Sequence, residues 1–256
     1  MAATARTAED AAAVALDANG DELTAAAARE GLIVVPNARE LHAELFDAYP
    51  EAAAKKVSRL EREAKELPNR SLVYGEIPFQ TVEEIFQLMR SQFGVLLDKG
   101  GNFYDLGSGC GKVVMAAVLL HDFSKCCGIE ILDGLHGIAL KVLDHWRYKM
   151  LDDLPTAKAD VDVGFAKADA TNVAIWKDAT LVFCNSTCFS DSYSSVWVVP
   201  AQLIQSLSAA ADELSDGSYF VTITKPLASK RWKTMLEQKF PMSWGKATVI
   251  VQKKVF

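Results

Sequence analysis

The chain lacks any uncharged apolar run approaching the roughly 20 residues a helix needs to cross a bilayer. Its start lacks the basic cluster and apolar stretch of a secretory signal, so secretion is not expected. Cysteine is sparse and odd in number: Cys110, Cys126, Cys127, Cys184 and Cys188. That argues against a disulfide framework and for reduced thiols in an intracellular chain. Histidine is scarcer still, four residues with no HxxxH or HExxH spacing, and Cys184 and Cys188 have no second pair at ligand distance. No metal is expected. Of the 256 residues, 50% are hydrophobic and 23% charged, a globular balance that excludes bulk disorder and collagen-like repeats.

The net charge of −6 is unevenly spread. Residues 1–37 carry two basic and six acidic side chains, with 13 alanines and no sustained apolar stripe. They are expected to be disordered or weakly helical. Residues 225–256 carry eight basic side chains against Glu237 alone. Polyanion binding needs a local basic face. The segment is read either as such a patch, giving weak nucleic-acid contact, or as ordinary solvated surface.

Residues 38–94 form a helical N-terminal region. Leu41, Leu45 and Phe46 share one face, and Val57, Leu60, Ala64 and Leu67 the next, with a break at Pro50. SLVYGEIPF, residues 71–79, has no period and reads as a loop. Thr81 with Glu84 then suggests a capping box opening a helix over about 81–94. From residue 95 to 256 strands and helices alternate. Strands are predicted at 102–106, 126–131, 162–167, 181–184, 218–224 and 247–254. Helices are predicted at 112–120, 134–150, about 199–213 and 229–240. This order implies an α/β fold, a parallel sheet covered by helices on both faces. In such sheets ligands sit at the carboxyl ends of the strands.

The densest motif is Asp105-Leu106-Gly107-Ser108-Gly109-Cys110-Gly111, leaving a strand and entering a helix. Its glycines permit a tight turn and close approach of a ligand to the backbone. Glu130 ends the next strand, where a carboxylate can bind both hydroxyls of a ribose. GxxxxGK[ST] is not met, because Val113 follows Lys112. The third glycine comes one residue early for a nicotinamide fingerprint. S-adenosylmethionine is cationic and carries no phosphate, so an acidic loop suits it best; a turn serving only helix–sheet packing is the bland alternative. Asp169 is placed either against the adenine amine or as a solvated loop acid.

Several segments together resemble the disruptor-of-telomeric-silencing class of histone-lysine methyltransferases, which lack a SET domain. Val73-Tyr74-Gly75-Glu76 with Phe79 is similar to that family's cofactor-covering V-Y-G-E-x-x-F loop. Asp105 to Gly111 matches its D-L-G-S-G-x-G, and Gly128-Ile129-Glu130 its G-[VI]-E. Phe183-Cys184-Asn185 with Phe189 is similar to its F-V-N-N-F-A-F segment, which lines a lysine channel. Lys225-Pro226 resembles its S-K-P-F, and Ser243-Trp244-Gly245-Lys246 its S-W-T-G-K. The matches lie in order over about 70–256. Two departures stand out: Ser186 replaces the second channel Asn, and Thr187 the first channel Phe. A lysine-rich extension for gripping nucleosomes is not seen.

The resemblance implies a class I, seven-stranded Rossmann-like S-adenosylmethionine-dependent methyltransferase fold with an N-terminal helical attachment. It implies Asn185, Tyr74 and Phe189 as catalytic residues. It implies Tyr74, Gly75, Glu76, Asp105, Gly107, Ser108, Gly109, Gly111, Lys112, Glu130, Asp169 and Asn185 as cofactor contacts. Asn185 also fits a turn cap, Phe189 a core position, and Trp244 a plug at the sheet's end. The implied reaction is methyl transfer to a lysine of a core histone in the nucleosome, and the implied location is the nucleus, with the cytoplasm as alternative. Other readings are a lysine methyltransferase of a non-histone protein, a small-molecule methyltransferase, and a binding module without catalysis.

Overall fold

The computed structural model describes residues 35–67, 72–188 and 200–256. The expectations for residues 1–34, and for Phe189, lie outside the described residues. Seven strands make one sheet: β1 Asn102–Leu106, β2 Lys125–Glu130, β3 Asp162–Lys167, β4 Leu181–Cys184, β5 Tyr219–Ile223, β6 Trp232–Met242 and β7 Gly245–Lys254. Their order is β3-β2-β1-β4-β5-β7-β6. Neighbours from β3 through β5 are parallel, whereas β7 runs antiparallel to both β5 and β6. The sheet is therefore mixed. The strand order reverses between β1 and β4, which opens a crevice at their carboxyl ends.

The helices are α1 Ala38–Leu45, α2 Glu51–Ala64, α3 Phe79–Phe93, α4 Lys112–Leu120, α5 Asp133–His145, α6 Thr156–Ala159 and α7 Pro200–Ala211. Among the described residues no helix is long and apolar enough to cross a membrane.

Strand side chains alternate between two cores, as the period of two requires. Phe103, Cys126, Val163, Phe183 and Val221 face one core, which α3, α4 and α5 cover. Tyr104, Cys127, Val182 and Phe220 face the other, beneath α7. Adjacent Cys126 and Cys127 accordingly point to opposite faces. Both sides of β1 are buried, which suits its apolar Phe103, Tyr104 and Leu106 and leaves Asp105 as a buried acid near its end. The first core continues across residue 94: Phe86 on α3 lies edge-on to Phe103 at 6.3 Å and to Phe183 at 6.5 Å. At the other end of this layer, His42 on α1 donates from Nε2 to the Lys112 carbonyl at 2.9 Å, which docks α1 on the start of α4. Burial holds that imidazole neutral, with its pKa lowered to about 4.

Two local expectations are corrected. Residues 229–240 do not form a helix; most of that stretch is β6, paired with β7 along its length. Trp232, Leu236 and Phe240 are spaced for one helical face, which explains the misreading. A bulge between Thr234 and Leu236 shifts the alternation by one. Trp232 then enters the second core, while Phe240 and Met242 enter the first. The capping box is also absent: α3 starts at Phe79 with Pro78 at its N-cap. Thr81 is fully buried and donates instead to the Pro241 carbonyl at 2.7 Å, tying α3 to β6.

Candidate active site

The glycine loop crosses the top of β1 and β2. Gly107, Gly109 and Gly111 have φ of 81°, 56° and 90°, conformations that only glycine adopts cheaply. The Gly107 and Ser108 amides donate to the Ile129 carbonyl at 2.8 and 3.0 Å, which fixes the loop over β2. A methyl group on Gly109 would lie 2.6 Å from the Tyr74 ring, and one on Gly111 2.5 Å from Phe165. Above Gly107 nothing stands within 4 Å. The loop is thus covered at two points and open at the third.

Two buried carboxylates flank it. Glu130 accepts the Gly109 amide on Oε2 and the Ile131 and Leu132 amides on Oε1, each at 2.8 Å. A carboxylate has about four acceptor positions, so Glu130 shapes the loop and keeps one to offer. Asp105 is 5% exposed. Burial first, then the negative charge of Glu130, pushes its carboxyl up to about 8. Burial raises Glu130 as well, against the pull of its three amides. A pair of desolvated acids in a crevice calls for a cation or a hydroxyl donor. Ser108 adds a buried Oγ without a hydrogen-bond partner.

A strap over residues 73–78 lies across this loop. The Tyr74 hydroxyl donates to Glu76 Oε1 at 2.9 Å and stands 2.7 Å from Cys110 Sγ. Burial raises the Tyr74 phenol above its ordinary value and the Cys110 thiol to about 11, so both stay protonated at neutral pH. Lys112 Nζ donates to Glu76 Oε2 at 2.7 Å, which leaves that lysine an unsuitable phosphate ligand. The turn between β6 and β7 holds the strap from outside. The Ser243 amide donates to the Glu76 carbonyl and the Glu76 amide to Ser243 Oγ, both at 3.1 Å. A methyl on Gly75 would lie 2.6 Å from the Trp244 ring. Gly75 therefore abuts Trp244 rather than the loop. Spacing in the chain gave no sign of this contact, which spans about 170 residues.

The carboxyl end of β4 is built differently. Asn185 is half-buried and its Oδ1 accepts the Thr187 amide at 3.3 Å. That is a turn-capping contact, and it leaves the Nδ2 donors for another partner. Ser186 is fully buried; its Oγ lies 2.5 Å from the Ile223 carbonyl oxygen and 3.0 Å from that of Lys225. Thr187 Oγ1 is 3.1 Å from Thr224 Oγ1. The two departures from the channel pattern thus tie β4 to β5. Thr224 has φ of 78°, a strained conformation for a β-branched residue. Asp169 follows Ala168, whose amide donates to the Glu130 carbonyl at 3.1 Å. Its own Oδ1 accepts the Thr171 amide and hydroxyl at 2.8 and 2.9 Å, a local turn at the crevice edge. Among the described residues no group of three His, Cys, Asp or Glu is placed to hold a metal.

The structure thus gathers Tyr74, Glu76, Asp105, Gly107, Ser108, Gly109, Gly111, Lys112 and Glu130 around one loop. Asp169 borders it, and Asn185 stands at the end of the next strand. Open backbone at Gly107, two acids and the pairing of Lys112 with Glu76 fit a cationic nucleoside better than a phosphate ester.

Residues 54–212, more than half of the chain, match the family described as histone methylation protein DOT1. Among solved structures, TrmN from Thermus thermophilus is similar with a TM-score of 0.51 and 13% identity, covering 77% of this chain and 53% of that one. This chain thus spans about half the length of TrmN. Magnesium protoporphyrin IX methyltransferase from Synechocystis PCC 6803, solved with bound S-adenosylmethionine, has a TM-score of 0.47 and 10% identity over 87% of this chain and 99% of that one. The TrmN likeness is one of fold. No curated protein sequence matches the chain.

Proposed function

The chain belongs to the DOT1 family of S-adenosylmethionine-dependent methyltransferases, and from that premise we propose that it methylates a lysine amine, foremost of a core histone in the nucleosome. The observation that carries this reading is the open Gly107 position between Asp105 and Glu130, in a loop whose neighbouring Gly109 is covered by Tyr74 of the strap. Tyr74, Glu76, Asp105, Gly107, Ser108, Gly109, Gly111, Lys112 and Glu130 would hold or enclose the cofactor, with Asp169 at the adenine end.

The cofactor, when bound, supplies an electrophilic methyl on a sulfonium. The acceptor lysine must arrive neutral, yet its free pKa is roughly 10.4. An apolar passage lowers that value by desolvation, and a neighbouring sulfonium acts in the same direction. No dedicated base is needed. Catalysis then rests on alignment. Asn185 is assigned the polar position beside the transferring methyl, and Tyr74 and Phe189 the walls. The Tyr74 ring face also favours a cation. A nuclear location follows from a nucleosomal substrate.

A second reading keeps the chemistry and moves the target to a non-histone protein. It is favoured by Ser186 and Thr187, which are spent on ties between β4 and β5. Labelled S-adenosylmethionine incubated with nucleosomes, free histones and a cell extract tests both. A labelled band at histone mass is expected. A band elsewhere selects the second reading, and label in small molecules alone, or none, overturns both.

A further inference from the structure

Helix α2 reaches the cofactor crevice at both of its ends. In its first turn, Glu51 Oε1 accepts the Ser243 hydroxyl at 2.6 Å. Ser243 in turn holds both the amide and the carbonyl of Glu76 on the strap. In its last turns, Glu61 accepts the Asp133 amide on Oε1 at 2.8 Å and the Gly134 amide on Oε2 at 2.7 Å. Helix α5 has Leu132 at its N-cap and no side-chain cap of its own, so Glu61 satisfies two of its four unpaired amides from another helix. A carboxylate there also complements the positive end of the α5 dipole. Lys65 closes the contact, 2.6 Å from Glu61 and 3.0 Å from Asp133.

The α5 start continues directly from Ile131 and Leu132, whose amides hold Glu130. Gly134 lets the two helices meet: a methyl there would lie 2.4 Å from Val57. Midway along α2, Ala54 and Ser58 are fully buried, and Ser58 Oγ donates to the Leu72 carbonyl at 3.3 Å, just before the strap. Ten residues at 1.5 Å per residue put about 15 Å between Glu51 and Glu61 along the helix axis. The two carboxylates therefore hold two separate walls of one crevice.

We propose that α2 is a brace, in which Glu51 and Glu61 are positioning residues that fix the strap and the Glu130 loop relative to each other and so set the affinity for the cofactor. Both carboxylates are committed to protein donors, so they act through Ser243, Glu76 and the α5 start. The effect on affinity rests on the function proposed above; the mechanical link does not.

Sites this far apart ordinarily act independently, so the change in free energy for two substitutions is a sum. A rigid brace behaves otherwise, because freeing either end is enough. Hydrogen exchange on the full chain without cofactor reads the link. Glu61→Ala should speed amide exchange at 73–76, the far wall, as well as at 133–136, and Glu51→Ala should do the converse. Exchange altered only at each variant's own end overturns the brace.

Calorimetry with S-adenosylmethionine then reads the consequence. Glu61→Ala is expected to weaken binding about tenfold and Glu51→Ala about fivefold, with the double variant no weaker than the worse single. Turnover at saturating cofactor and the KM for the protein substrate should hold. Single effects that multiply, or affinities within twofold of the unaltered chain, also overturn it. If the unaltered chain binds no S-adenosylmethionine, the function fails while the exchange result still decides the brace. Should Glu61→Ala not fold, Glu61→Gln, which leaves one acceptor oxygen for two amides, and Ser243→Ala at the exposed turn give the same comparison.

Discussion

Asp105 is the residue whose chemistry binding would change most. Its carboxyl is raised to about 8 by burial, with Glu130 adding to the effect. The folded chain therefore keeps a proton that the unfolded chain releases near 3.9. The sign follows: stability falls as pH rises between those values, because ionisation favours unfolding. A cation placed beside Asp105 would reverse that preference and expel the proton. Affinity for S-adenosylmethionine should then rise from pH 6 to 7.5, and binding at pH 7 should release a proton. Calorimetry in buffers of different ionisation enthalpy checks this, and Asp105→Asn should remove the dependence. An identical heat in every buffer would separate Asp105 from the ligand. Asn185 is expected to behave in the opposite manner. Asn185→Ala loses only a half-buried turn cap and the Nδ2 donors, so cofactor binding should persist while turnover falls at least a hundredfold. Unchanged single-turnover rates would leave Asn185 as a cap alone. The glycine loop and both acids were legible in the sequence because glycine and carboxylate declare their uses locally. The ties of Ser186 were not legible, because a hydroxyl pairs with whatever backbone the fold brings near.

The strap shows how one element depends on another far along the chain. Gly75 is barred from a side chain by space alone, since the Trp244 ring would stand 2.6 Å from a methyl. Gly107 is barred by conformation alone, with φ of 81° and nothing within 4 Å. The two substitutions should therefore differ. Gly75→Ala should push Trp244 off the strap, raise the dissociation constant for S-adenosylmethionine severalfold and shift Trp fluorescence, with little change in the unfolding midpoint. Gly107→Ala should cost about 1 kcal/mol of stability through backbone strain. Equal midpoints for both variants would contradict the distinction. Strands β1 to β5 were legible as short runs between turn signals, and helices α4 and α5 as apolar helical stretches. β6 was not: its lysines, Met235, Leu236 and Gln238 favour helix locally, and only pairing with β7 and the bulge after Thr234 override them. Likewise Thr81 reads as a cap in isolation and becomes a buried tie once β6 lies beside α3.

At the scale of the whole molecule, the proposed substrate raises the question of how an acidic chain, net −6, would approach a nucleosome. Of the eight basic residues over 225–256, five lie on the last two strands, and the fold divides them. Lys254 is buried, with Nζ 2.9 Å from the Asp212 carbonyl oxygen and 3.7 Å from the Asp216 carboxylate. Lys253 lies over the Tyr219 ring, 5.5 Å from its centre. Lys233 is next to Trp232, which enters the second core, so Lys233 points to the face of the first. Lys239 and Lys246 adjoin Phe240 and Ala247, which enter the first core, so these two point to the other face. They are exposed and lie near the carboxyl end of β5. Two phosphate contacts predict a slope of about −2 for log affinity against log salt, and a loss of roughly 15-fold between 50 and 200 mM. A grip of six to ten contacts would instead lose 10³–10⁵ over that range. Nucleosome binding should therefore be weak and shallow in its salt dependence, and charge reversal at Lys239 and Lys246 should abolish the slope. A slope near −6 in a titration of the full chain would mean that another basic surface carries the contact. A slope of zero would remove nucleic acid from the partner altogether.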